Sequence, residues 1–248
     1  MKLTILFLSV ILTGLISDFF LKKVAYYKSY IISFSVSIVL ALICIHILPE
    51  LFVNNSQSFI GNYLLAGFII QIFLELLSKG IEHGHIHLQG KITNQQLIVI
   101  ITGLFIHSIL EGIPLNAIEA NHQIHQHQTI NDNHFSLVYF FMILIHKLPI
   151  AAVLMFFLNS IKVNSIKKYF ILFMFAVTTP IGAIFGENIL KLPLFSDWSI
   201  KFLAISTGML LHITTLLIFE DHHSKGNKFK NILTISLGII TGFLLFSF

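Results

Sequence analysis

Eight runs of apolar residues, broken by short polar segments, set the pattern of this chain. Their approximate spans are 3–20, 29–48, 60–79, 95–119, 135–159, 168–189, 199–219 and 229–247. A helix of about 20 apolar residues crosses the hydrocarbon core of a bilayer. The pattern therefore predicts an all-α integral membrane protein with eight transmembrane helices. The whole chain, 1–248, reads as a single transmembrane domain, with polar loops at 80–94 and 120–134 and no room for a soluble domain. The first run follows Met1-Lys2 and resembles a signal peptide, but Asp18-Phe19-Phe20 follows it where a small-x-small cleavage site would stand. It reads as a retained first helix.

Composition supports this reading. Hydrophobic residues make up 56% of the chain, charged residues 10%, and the mean hydropathy is +0.88. Soluble domains carry about 25% charged residues. All basic residues are lysine, and they are unevenly placed. Eleven fall after the first, third, fifth and seventh runs (Lys22, Lys23, Lys28, Lys79, Lys91, Lys162, Lys167, Lys168, Lys225, Lys228, Lys230), against Lys191 and Lys201 between the sixth and seventh. By the positive-inside rule those four connections are cytoplasmic and both termini lie outside. The lysines are scattered and form no basic face, so the formal charge of +4 does not point to nucleic acid. The expected surroundings are a lipid bilayer, that of the cell membrane. The lone Cys44 cannot form an internal disulfide.

Ionisable residues inside the apolar runs are the informative exceptions. They are costly in lipid and usually face a protein interior. His107 and Glu111 stand four apart in the fourth run, on one face of a helix and ahead of Pro114. His146, followed by Lys147 and Pro149, stands in the fifth. His107, Glu111 and His146 form a candidate three-ligand metal site, and three protein ligands on zinc leave a fourth position open. Mixed His and carboxylate ligands suit Zn²⁺, with Fe²⁺ or Mn²⁺ as further candidates. Pro49, Pro114, Pro149 and Pro180 each remove a helical hydrogen bond, freeing the carbonyls of Ile45, Leu110, Ile145 and Ala176. Such breaks are tolerated where the backbone lines a cavity or site.

Other polar groups carry weaker expectations. His46 and His212 read as lining a path on the second and seventh helices, with Glu50 and Glu220 as entrance and exit carboxylates. For Asp18 and Glu75, snorkelling or capping competes equally with transport. Histidine-rich loops are candidates for loose metal capture: His83, His85 and His87 on the cytoplasmic side, His122, His125, His127 and His134 outside, and His222 and His223 inside. For any one of these histidines a solvated loop is the simpler reading.

Four motifs in order resemble the ZIP (Zrt/Irt-like) family of zinc and iron transporters: His46-x-x-Pro49-Glu50, His107-Ser108-x-x-Glu111-Gly112, His146-Lys147-x-Pro149 and Thr179-Pro180-Ile181-Gly182-Ala183. The resemblance covers nearly the whole chain. It implies a ZIP-type bundle in which helices 1–3 and 6–8 are inverted repeats around helices 4 and 5. Transport into the cytoplasm would proceed by rocking one bundle against the other. It also leaves a homodimer open. Many relatives hold a second metal at positions that here are Ser108, Lys147, Ile150 and Thr179, none a good zinc ligand. The resemblance is closest to the subgroup with Lys after the helix 5 His, and it implies one core metal with Lys147 in the neighbouring place. An intramembrane metalloenzyme and a non-transporting metal sensor stay open beside the transporter reading.

Overall fold

The computed structural model describes residues 1–53, 59–81, 92–116, 132–220 and 228–245. No strand occurs among these residues. In chain order the helices are α1 (Lys2–Phe19), α2 (Leu21–Leu42), α3 (Leu48–Val53), α4 (Ile60–Ser78), α5 (Asn94–Gly112), α6 (Asp132–Ser160), α7 (Ser165–Leu190), α8 (Ser199–Glu220) and α9 (Lys228–Leu245). A π-helical turn, Ile43–Ile47, joins α2 to α3 into one long element. Seven stretches are long and apolar enough to cross a membrane, and α9 supplies a shorter apolar eighth.

Local chemistry explains several boundaries. Thr93 and Gln96 form a reciprocal capping box at the start of α5. Asn164 caps α7 by accepting from the Ile166 amide. The π turn precedes Pro49, which has no N–H for the carbonyl of Ile45. The backbone responds by lengthening its register, and the Leu48 amide donates to Ile43, five residues back. Pro149 within α6 leaves the carbonyl of Ile145 without its helical donor. Ser35 of α2 supplies one, its Oγ donating to that carbonyl at 2.7 Å.

Two sequence expectations change here. Lys22, Lys23 and Lys28 lie within α2, because only Phe20 separates α1 from α2. Lys168, expected in a cytoplasmic loop, lies in the first turn of α7 and is buried against Asp18. Asp18 is thus neither a snorkelling nor a capping residue. It accepts from Lys168 Nζ at 2.8 and 2.9 Å, from Asn159 Nδ2 at 2.7 Å and from the Tyr169 hydroxyl at 2.6 Å. This knot ties α1, α6 and α7 together at one end of the bundle.

The helix packing pairs members of the two proposed repeats. α4 packs along α8, and α9 along α2, so helices from the first and last thirds of the chain interleave. Glycines make these contacts close. A Cβ at Gly67 would run into the backbone of Ile205, and one at Gly208 into that of Leu64. The same holds between α5 and α7, where Gly112 meets the backbone of Thr179, Gly182 that of Ile109 and Gly186 that of Ile113. Small residues of this kind let membrane helices approach to backbone contact. These contacts hold α4 to α8 and α5 to α7 as closely packed pairs. α6 is the central helix, with Tyr139, Met142, Ile143, Ala151, Leu154, Met155, Phe157 and Leu158 all fully buried.

Candidate metal centre

α5 and α6 each carry ionisable groups into this interior. His107, Ser108 and Glu111 on α5 and His146 and Lys147 on α6 are buried. One ligand atom from each of His107, Glu111 and His146 lies within 4.8 Å of the other two, and these three are the only such group among the described residues. The close pair is His107 Nε2 and Glu111 Oε2, 3.7 Å apart, as the four-residue spacing on one helix requires. The rings of His107 and His146 meet edge to face, centroids 6.0 Å apart.

The ring of His107 is anchored on its far side. Its Nδ1 lies 2.8 Å from Oε1 of Gln71, a fully buried side chain on α4. The Nε2 atoms of His107 and His146 and the Oε1 of Glu111 make no hydrogen bond. Buried polar atoms are rarely left this way. The ligand atoms of a tetrahedral zinc with bonds of ~2.1 Å stand about 3.4 Å apart. The group can reach that spacing with modest side-chain adjustment.

A protein cation already stands beside the carboxylate. Lys147 Nζ lies 3.1 Å from Glu111 Oε2, donates to Ser108 Oγ at 2.8 Å, and sits 4.8 Å over the ring of Phe175. Thr179 Oγ1 donates to the carbonyl of Ser108 at 3.1 Å. Ser108, Lys147 and Thr179 thus form one chain of contacts beside the three candidate ligands. Ile150, one turn beyond His146, is buried among apolar side chains. The Tyr139 hydroxyl donates to the carbonyl of Glu111 at 2.9 Å and is itself 2.7 Å from Ser206 Oγ, so α8 reaches the site's backbone through α6.

The remaining candidates do not join the cluster. His46 lies half-buried on the π turn and Glu50 follows it on α3. His212 on α8 pairs instead with Glu75 on α4, Nε2 to Oε2 at 2.7 Å, with Phe68 edge-on to its ring. The pair gives Glu75 a partner across helices, where snorkelling or capping and transport stood as equal expectations. Glu220 is the last residue of α8. His83, His85, His87, His122, His125, His127, His222 and His223 lie outside the described residues.

Two contacts of the site were not read from the sequence. Gln71 is a neutral amide within an apolar run, a signal in its own right because an amide in lipid needs a partner. Tyr139 looked like one more aromatic in a run of them, and nothing in its spacing set it apart.

Comparison with known proteins points the same way. No curated protein matches the chain. A sequence model for the ZIP zinc transporter family matches residues 82–248, more than half of the chain, including all three candidate ligands but not α1–α4.

Proposed function

This chain belongs to the ZIP zinc transporter family, and on that premise we propose that it carries Zn²⁺ into the cytoplasm through a single core site made by His107, Glu111 and His146. The family is one of divalent metal transporters rather than enzymes, so the metalloenzyme reading falls away, and the chain is a multi-pass membrane protein. The cell membrane is the proposed location, and Fe²⁺ and Mn²⁺ are the alternative cargoes.

The observation that carries the site assignment is the gathering of those three ligand types, all buried, within 4.8 Å. Charge explains why such a site suits transport. Glu111 and Lys147 cancel, so with neutral imidazoles a dication brings the site to a net charge of two. A site of that charge in a low dielectric binds less tightly than one with a second carboxylate, and a transported ion must leave as well as enter. Alternating access requires the site to open first to one side and then to the other. His46 and Glu50 towards the outer end, and His212 and Glu220 towards the inner, are the proposed path. The loop histidines are proposed as weak collectors at either face.

Radiolabelled zinc uptake into proteoliposomes tests this. The natural protein should take up zinc, and His107→Ala and His146→Ala should each abolish uptake while still reconstituting. Uptake by either variant at the natural rate would remove that histidine from the site.

A further inference from the structure

We infer that Gln71 is a positioning residue that fixes the tautomer of His107 and so presents its Nε2 lone pair to the metal; the inference rests on the three-ligand reading. The acceptor facing His107 Nδ1 is the carboxamide oxygen of Gln71, at 2.8 Å. A carbonyl oxygen only accepts, so Nδ1 carries the proton of the neutral ring. A neutral imidazole has one N–H, and Nε2 is then a lone pair. Nε2 is the atom turned towards Glu111. The opposite tautomer, the one imidazole favours in water, would aim a proton at the place the ion must occupy. A metal-bound histidine generally donates its other N–H to an oxygen in this way, which also makes the ligand more basic.

The fold delivers Gln71 by a specific register. Gly67, Gln71, Leu74 and Ser78 are the buried positions of α4 after its first residue, and they line one helical face. Gly67 brings α4 against the backbone of α8. At the other end, a Cβ on Gly103 of α5 would stand 2.9 Å from the amide of Ser78 and 3.0 Å from Leu77 Cβ, so α4 and α5 are in near contact there. Gly103 is one turn before His107, and Ser78 lies two turns beyond Gln71. The antiparallel pair keeps the two faces together, and the Gln71 side chain meets the imidazole at 2.8 Å. A helix that bears no ligand thereby holds the ring of one that bears two.

The test is ¹⁵N-histidine NMR on the metal-free full-length protein in nanodiscs, with the His107 signals assigned by their loss in His107→Ala, alongside zinc titration. The natural protein should show the Nδ1–H pattern at His107. Gln71→Met, similar in size but with no acceptor, should convert it to Nε2–H and weaken zinc binding by about 10- to 100-fold. Gln71→Glu keeps an acceptor and should restore both the Nδ1–H pattern and tight binding. An Nε2–H pattern in the natural protein, or unchanged shifts and affinity in Gln71→Met, overturns the inference. The tautomer reading needs no metal. A natural protein that binds no zinc would sink the three-ligand reading, while the role of Gln71 is still decided by the nitrogen shifts.

Discussion

Lys147 and Glu111, on different helices, face each other at 3.1 Å with almost no exposure of either side chain. On the proposed three-ligand site, the ammonium is thus a tethered competitor for the carboxylate that would bind the metal. Replacing Lys147 with Met removes the competitor and strands a buried charge. The metal-free protein should lose about 3–5 kcal/mol of stability, the usual cost of breaking a buried pair. Zinc should bind at least about tenfold more tightly, which corresponds to about 1.4 kcal/mol. Thermal unfolding in detergent with and without zinc, together with calorimetric titration, checks both signs. Unchanged affinity would mean that Lys147 does not oppose the ion.

The same pair predicts non-additivity. Glu111→Gln should abolish zinc binding and destabilise the protein by leaving Lys147 unneutralised. The double variant Glu111→Gln/Lys147→Met should be more stable than either single variant, because it buries no lone charge. Additive losses in a double-mutant cycle would show the two groups to be independent.

Glycine contacts between α5 and α7 make a sharp packing prediction. Gly182→Ala places a Cβ against the carbonyl of Ile109, where only backbone movement makes room. About 1–3 kcal/mol should be lost, and zinc affinity should fall because Ile109 lies between His107 and Glu111 on α5. Gly61→Ala is the control. A Cβ there meets nothing within 4 Å, so the unfolding temperature should hold or rise slightly.

Ser35 and Pro149 act on one carbonyl, that of Ile145 beside His146. Ser35→Ala should cost about 1 kcal/mol by removing its donor. In a Pro149→Ala background the helix regains its own N–H for that carbonyl. The same Ser35→Ala change should then cost measurably less, as read by unfolding in both backgrounds. Equal costs would show that the hydroxyl serves something other than the proline break.

The Asp18 knot should matter for stability and not for the metal. Asp18→Ala leaves the buried Lys168 without its carboxylate and should destabilise the protein by about 3 kcal/mol or more. Zinc affinity of the folded fraction should be unchanged, and a parallel loss of zinc binding would contradict that separation.

What the sequence determined by itself was whatever depends on spacing along one helix. Membrane-length apolar runs follow from bilayer thickness, and His107 with Glu111 follows from 3.6 residues per turn. His146 could be added because an ionisable residue in lipid seeks a site. Family motifs made Lys147, Ser108 and Thr179 visible as a substituted second position. Partnership between helices was left to the tertiary structure. Nothing in the chain says that Gln71 meets His107, that Glu75 meets His212, or that Asp18 takes up Lys168. These pairs are 36, 137 and 150 residues apart, and only the crossing and register of packed helices bring them together. Glycine contacts decided that register, because a missing side chain leaves no pattern in hydropathy yet allows two backbones to touch.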